Sequence, residues 1–397
     1  MKATVSRKEL NDALSIAASA SSARSTQPAL MSIRMTLADG KLTLLGCDGE
    51  MWAQAYLPAS IEVEGEICVQ TRFLTEVVGA LPDEQVTLQL SGTSLVIEGG
   101  QSEWKLFATP ADLFPGIPDV PSTGELSLPM GLLQDSLDAV TYAVSSDTTR
   151  GVLTGVLMNY DGRTLTLVAT DTHRLAVNRV HREGVGSDLN YIVPEKALKT
   201  IRSLPVPGDE DITIRFDGVR MSVDVGTAQV VSQLLDGNYP NWQRVVPSEF
   251  TRQWTMDRKE FFDNLKRAAI LARDNSNRVT LSGQGDKVVI SARSDERGTA
   301  KEEVLMISQN GDIDIAFNVK FIMDALGSFD SEGVRTEMTE ASRSAVIRPV
   351  EGGEDRFCVV MPMALGEVHL GLKQRNSLPA SGRREFCFTP SEVTCLP

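Results

Sequence analysis

Apolar residues recur at i, i+4 and i+7 in three places along the chain: Leu10, Leu14 and Ala17; Leu133, Leu137 and Val140; Phe261, Leu265 and Ala268. That spacing marks one face of an amphipathic helix and predicts helices over 6–20, 130–144 and 257–273. A second helical pattern returns in the same frame at 71–81, 195–204 and 318–329, where Arg72, Lys196 and Lys320 stand 124 residues apart. Strand alternation fills the intervals. Its clearest stretch is 161–177, DGRTLTLVATDTHRLAV, with Leu165, Leu167 and Ala169 on one face and Thr164, Thr166 and Val168 on the other. The same strand begins again at Asp39 and at Gly285, and the aspartates that follow it, Asp48, Asp171 and Asp295, lie 123 and 124 residues apart. Only the middle copy runs on into Thr170-Asp171-Thr172-His173-Arg174-Leu175-Ala176.

Three markers in one register, each in three copies, predict three repeated domains, each large enough for its own core. Each reads as a helix plus three or four short strands, twice over. In the first copy the strands fall at 31–37, 41–47, 51–56, 86–90, 94–98 and 103–108. Short alternating strands split by turns argue for antiparallel sheets covered by helices, an α+β fold. The boundaries are set at 1–121, 122–249 and 250–363. Pro110, Pro115, Pro118 and Pro121 predict a stiff, extended linker after the first domain, and Pro82 ends the helix before it. The segment 236–247 is rich in turn residues and aromatics. Residues 364–397 lose the periodicity and are expected to form a flexible tail.

Composition changes this picture in two respects. No apolar run approaches the ~20 residues of a membrane span, and the N-terminus lacks an apolar signal core, so neither a membrane partner nor export is expected. The five cysteines, Cys47, Cys68, Cys358, Cys387 and Cys395, show no paired spacing and read as reduced, mostly buried thiols of a cytoplasmic protein. The net charge of −14 argues at first against nucleic acid. Its distribution weakens that argument: the six helical windows together carry +2, leaving −16 on the strands and loops. This is either a non-acidic helical face on an acidic body or a set of ordinary solvated helices.

Catalytic signatures are missing. There is no Gly-x-Ser-x-Gly elbow, phosphate loop or dinucleotide fingerprint, and no HExxH or Cys-x-x-Cys zinc pattern, so no cofactor and no metal is expected. There are three histidines, His173, His181 and His369, and Asp171 with His173 could suggest an acid/base pair. On a strand, residues i and i+2 share a face without bonding, so a binding or structural role is the better reading of that pair.

Three two-helix domains, with Ala169-Thr170-Asp171-Thr172-His173-Arg174-Leu175-Ala176 in the second and Val359-Val360-Met361-Pro362-Met363 closing the third, resemble the bacterial sliding clamp, the β subunit of DNA polymerase III. The family patterns are Ala-Thr-Asp-Gly-His-Arg-Leu-Ala and Val-Met-Pro-Met-Arg-Leu, and the resemblance covers about 1–363. It implies a non-catalytic, head-to-tail homodimer. Its six domains would close a ring around double-stranded DNA and hold the replicative polymerase there for processivity. Helix cations would meet phosphates without reading bases: Arg7, Lys8, Arg24, Arg72, Lys196, Lys199, Arg202, Lys259, Lys266 and Lys320. A plain solubility charge is the alternative for each.

By the same resemblance, a partner-peptide cleft would comprise Leu153, Thr170, His173, Arg174, Leu175, Pro240, Arg244, Val245, Val359, Val360, Met361, Pro362 and Met363. Its partners would be the α subunit of DNA polymerase III, the δ subunit of the clamp loader, and repair polymerases, ligase and mismatch-repair proteins. Inter-domain packing is the alternative for some of these positions, Leu153 and Val360 in particular. The ring interface would join Arg72, Trp104 and Leu106 to Ile270, Leu271, Glu302 and Glu303.

Two positions depart from the family pattern. Thr172 stands where the family has glycine, and Ala364 with a long tail stands where the family has Arg-Leu. Gln374–378 loosely resembles a clamp-binding peptide. Two other functions stay open at this point: a peptide-binding scaffold that no longer closes around DNA, and an enzyme using Asp171 and His173.

Overall fold

The computed structural model describes residues 1–82, 84–310 and 312–365. The expected flexible tail and the peptide-like stretch at 374–378 lie outside the described residues beyond 365, as do Cys387 and Cys395.

Among the described residues six α-helices form: α1 (Arg7–Ser19), α2 (Thr71–Ala80), α3 (Met130–Asp138), α4 (Glu195–Arg202), α5 (Arg258–Ala272) and α6 (Val319–Gly327). Each follows directly on a strand. Ser6, Asp257 and Asn318 cap α1, α5 and α6, their side chains accepting from the amides of Glu9, Glu260 and Lys320. The predicted stripes are the buried ones: Leu10, Leu14 and Ala17, then Leu133 and Leu137, then Phe261, Leu265 and Ala268. The expected helix over 130–144 stops early. The β-branched residues Val140, Thr141 and Val144 disfavour its continuation, and the chain passes into a 3-10 turn at Thr141–Ala143 with Val140 still buried.

Every strand pair among the described residues is antiparallel. Thr164–Thr170 lies between Gly155–Tyr160 and Arg174–His181. Leu165, Leu167 and Ala169 join the core beneath the helices, as their alternation predicts. Val168, on the other face, is buried as well, in a second layer with Leu157, Leu175, Val177, Trp242, Phe357 and Val359. The repeated aspartates explain why the copies align. Oδ1 of Asp48 accepts from the amides of Glu50 and Met51, and Oδ1 of Asp171 accepts from those of His173 and Arg174, so both residues build the same turn.

The sheets run across the boundaries of the sequence repeats. Met51–Pro58 pairs with Ala228–Gln233, and Arg174–His181 pairs with Arg356–Val360. The expectation of three separate cores is corrected accordingly. One apolar cluster runs from Ala3 to Val230, and a second spans Trp254 to Val360. The expected linker spacer is also corrected. Ala111 and Phe114 are buried against Leu30, Leu45, Cys47 and Cys68, because these apolar side chains between the prolines have a surface to cover.

The helices fall into two groups, α1 to α4 and α5 with α6. α1 touches α2 and α4, α3 touches α4, and α5 touches α6. Ser19 and Thr200 join α1 to α4 through their hydroxyls at 2.9 Å. A groove lined by Asp138, Lys199, Phe262 and Met323 separates α3 and α4 from α5 and α6. Among the described residues, no helix is long and apolar enough to cross a membrane, and Cys47, Cys68 and Cys358 are free, buried thiols.

Candidate functional site

An apolar pocket of about 230 Å3 opens where the second and third sequence repeats meet. Strand register builds it. Leu175 lies opposite Val359 and Arg174 opposite Val360, and the amide of Met361 donates to the His173 carbonyl at 2.9 Å. Thr170, Thr172, Arg174 and Leu175 come from the turn between two strands, and Val359 and Met361 from the last strand and its exit. Leu153 comes from the short 3-10 helix Thr148–Thr154, and Pro240, Trp242 and Val245 from the segment that crosses the second layer. Leu153, Leu175, Trp242 and Val359 are buried and form the floor, while Val245 and Met361 stand exposed at the rim. A soft thioether beside aliphatic walls suits side chains of varied shape.

One side of the site is tied by charge. Nε of Arg174 donates to Asp171 at 3.0 Å and Nη1 to Asp324 of α6 at 2.5 Å, with the guanidinium 4.5 Å from the Phe321 ring centre. Burial works against this charge, but the bonds to the two carboxylates outweigh it and hold the guanidinium above its ordinary pKa. Nη1 of Arg150 donates to the Asp171 carbonyl at 3.0 Å and to Oγ1 of Thr172 at 2.6 Å. Nε of Arg150 is in turn held by Asp147 at 3.1 Å. The Asp147 carboxyl is lowered from its ordinary pKa, first by the Thr149 hydroxyl and amide.

The acid/base idea for Asp171 and His173 fails on this geometry. One Asp171 oxygen takes two backbone amides, the other takes Arg174, and the exposed His173 ring stacks near Phe321. Underneath, burial pushes the Tyr142 phenol well up and the Cys358 thiol up to about 12.

Of the predicted cleft residues, Leu153, Thr170, Arg174, Leu175, Pro240, Val245, Val359 and Met361 come together around this pocket. Val360 does not. The strand alternation that turns Val359 into the pocket sends Val360 into the core under the helices. His173 and Arg244 are exposed beyond the lining. Pro362 and Met363 continue away from it, the Met363 amide donating to the Ala316 carbonyl at 2.7 Å. Thr172 and Trp242 line the pocket and were absent from the predicted set. Trp242 sits in the aromatic, turn-rich segment that the sequence flagged without assigning, and Thr172 inside the motif itself. Nη1 of Arg278 donates to the Ala364 carbonyl at 3.3 Å.

A larger cavity, about 920 Å3, lies behind the 236–243 segment and shares Pro240 and Trp242 with the pocket. Its wall mixes amides, among them Asn159, Asn190, Asn238, Asn241 and Gln243, with apolar and aromatic side chains such as Leu157, Ile192 and Tyr239. Its exposed lining is more polar than apolar, whereas that of the smaller pocket is mostly apolar.

The predicted cations lie on the helices or just beside them. Lys8, Arg24, Lys259, Lys266 and Lys320 are exposed and in no ion pair among the described residues; Arg7 is half-buried. Lys196 pairs with Asp48, Lys199 with Glu195, Arg202 with Asp138 and Arg72 with Glu76. Pairing within the chain reduces what these four offer to an anion.

Of the residues predicted for a chain-to-chain contact, Trp104, Leu106, Glu302 and Glu303 lie on open strand edges, Arg72 on α2 and Ile270 and Leu271 on α5. In Ser102–Thr109, only Ala108 and Thr109 pair with Gly65–Gln70, so 103–107 present a free edge. Trp104 is exposed there and Leu106 half-buried, and Phe107, not predicted, is 87% exposed. In Gly298–Gln309 the stretch 298–305 is paired on one side only. Beside it Ile270 is exposed, Leu271 half-buried, and Leu305, also not predicted, is 68% exposed. Glu302 and Glu303 are already engaged, by Arg267 at 2.8 Å and by Lys287 and Lys301 at 2.8 and 2.9 Å.

Family models of the DNA polymerase III beta subunit match the chain in three pieces: the N-terminal domain over 1–118, the central domain over 127–241 and the C-terminal domain over 243–364. A beta sliding clamp of Staphylococcus aureus is 31% identical over 366 residues, 89% of this chain and 96% of the relative. The solved beta subunit of Thermotoga maritima superposes with a TM-score of 0.84 at 28% identity, over 92% of this chain and 99% of that one. A sliding clamp of Pseudomonas aeruginosa, solved bound to griselimycin, gives 0.83 at 27% identity, over 92% and 100%.

Proposed function

The chain belongs to the DNA polymerase III beta-subunit family of sliding clamps, and on that premise we propose that two copies join head to tail and encircle duplex DNA. The observation that carries the reading is the two groups of helices, α1 to α4 and α5 with α6, which carry lysines in no ion pair among the described residues, on an otherwise acidic molecule. Cations on a helical wall meet the phosphate backbone without touching base edges, so attraction is independent of sequence and the ring slides. The acidic exterior turns DNA away from the outer surface. Topology then supplies retention, and no catalytic group is required.

The domains are taken as 1–121, 122–249 and 250–363. Ring closure joins the free edge at 103–107 of one chain to the edge at 298–305 of the next, with Phe107, Trp104, Ile270 and Leu305 as the apolar contacts. The pocket around Leu175 and Val359 receives an apolar side chain from short peptides of the replicative polymerase, the clamp loader and repair proteins. Binding of griselimycin by the Pseudomonas relative supports a ligand site in this fold. The working compartment is the cytoplasm, where DNA and these partners are found.

The test is retention on nicked circular against linear DNA after loading by a clamp loader. A closed ring stays on circles and runs off linear ends. Equal loss from both overturns encirclement and leaves a peptide-binding scaffold.

A further inference from the structure

We propose that Thr172 and Arg150 form a clasp across the mouth of the apolar pocket and set the size of the side chain it accepts. The proposal rests on the reading of that pocket as the receptor for an apolar anchor from a partner peptide.

Thr172 has a φ of +78°. A β-branched residue is strained in that region, which glycine enters freely. Its surroundings hold it there. The Thr172 amide donates to Oγ1 of Thr170 at 3.1 Å, and its own hydroxyl accepts from Nη1 of Arg150 at 2.6 Å. Arg150 reaches the Asp171 carbonyl with the same nitrogen and is fixed from behind by Asp147.

Arg150 and Leu153 share the short helix Thr148–Thr154, which is kinked at Gly151, where φ is +38°. Leu153 and Thr172 both line the pocket. The helix leads into Gly155–Tyr160 and Thr172 follows Thr164–Thr170, two strands that pair, and the Arg150–Thr172 bond ties the two walls again just beyond the end of that ladder. A glycine at 172 relieves the strain, but it removes the hydroxyl that holds Arg150 and the methyl that narrows the opening.

The volume makes this matter. About 230 Å3 lies above the roughly 150 Å3 that holds a benzene ring and below the ~300 Å3 where small-molecule pockets begin. A space of that size takes one or two side chains, and a small movement of either wall changes which ones fit. The clasp thus favours a compact aliphatic anchor over a bulky aromatic one.

The experiment uses the full chain and two fluorescein-labelled nonapeptides on one Gln/Ser/Leu background. They differ at a single anchor position, leucine in one and tryptophan in the other. Affinities are measured by anisotropy for the wild type and for Thr172→Gly, Thr172→Ser and Arg150→Ala, with thermal melts to verify folding. The expected result is a wild-type preference for leucine that falls by about tenfold in Thr172→Gly and in Arg150→Ala. Thr172→Ser keeps the hydroxyl bond and most of the preference. Equal changes for both peptides in Thr172→Gly and Arg150→Ala overturn the clasp while leaving the pocket reading intact. Failure of the wild type to bind either peptide overturns both.

Discussion

Arg174 and Asp324 are 150 positions apart in sequence and meet at 2.5 Å, Nη1 to Oδ2. This bond ties the turn at the pocket's edge to α6 of the third repeat. The Arg174 side chain is only 11% exposed, so the carboxylates that neutralise it are not optional. Replacing Arg174 by alanine leaves Asp171 and Asp324 without their cation and is expected to cost about 2–3 kcal/mol. Asp324→Asn keeps the Asp171 pair and is expected to cost about 1 kcal/mol. Chemical denaturation monitored by tryptophan fluorescence checks both; equal effects sink the assignment of Asp171 as the second partner.

The chain ends make a separate prediction. Leu305→Asp and Phe107→Asp each put a charge where the free edges are proposed to meet. Sedimentation velocity should show monomers at concentrations where the parent is a dimer, a loss of at least about 2 kcal/mol for a central contact. Melting temperature should hold, since both side chains are exposed in the single chain. Dimers in both variants would place the interface elsewhere.

On the helical face, Lys259→Ala, Lys266→Ala and Lys320→Ala are each expected to lower the slope of log K against log salt for duplex binding by about 1, equally for unrelated sequences. Arg202→Ala is expected to change it less, because Asp138 already engages both arms of that guanidinium. A variant that alters the preference between two sequences would contradict backbone-only contact.

The buried thiols give a pH dependence with a definite sign. Burial pushes Cys47 and Cys68 up to about 11 and Cys358 up to about 12, from an ordinary value of 9.0. The folded state keeps these thiols protonated where the unfolded chain ionises. Their contribution is therefore fully present below pH 9 and is lost as the pH rises toward 11–12. Melting temperature should fall across that window. A thiol reagent at pH 8 should leave these three unmodified until denaturant is added, read by peptide mapping.

Gly46 offers a packing test. It lies in Lys41–Cys47 directly beneath α1, and a Cβ there would sit 1.9 Å from the Ala17 carbonyl oxygen. The obstacle is backbone, so Gly46→Ala must displace the helix, at about 3 kcal/mol or more. A denaturation midpoint within error of the parent would show that α1 shifts freely.

Local structure was largely legible in the sequence because it follows from local periodicity. The buried stripes of α1 and α5 and the inward face of Thr164–Thr170 need only nearby residues to be recognised. The turn role of Asp48 and Asp171 was recoverable in principle from their shared position after a strand. What escaped depends on partners far away. Ser60–Val63 is short and mostly solvent-facing, so it carries no alternation. Nothing near Ala55 reveals that Ala228 lies beside it. Val168 reads as a solvent-facing position until Trp242 and Phe357 cover it. Strand alternation separates Val360 from Val359 and favours the packing alternative at that position. Thr172 was visible as an oddity, but its tie to Arg150 was not.

The strand pairs that cross the repeat boundaries have a mechanical meaning. Met51–Pro58 with Ala228–Gln233, and Arg174–His181 with Arg356–Val360, put backbone hydrogen bonds where a chain of beads would have swivels. Bending at either junction means peeling a ladder apart, so 1–364 behaves as a stiff bracket and not as three links. In the proposed ring, two such brackets would have little give along their arms. A gap wide enough to admit a duplex would then open where one bracket meets the other, with the work of opening concentrated on the few side chains there.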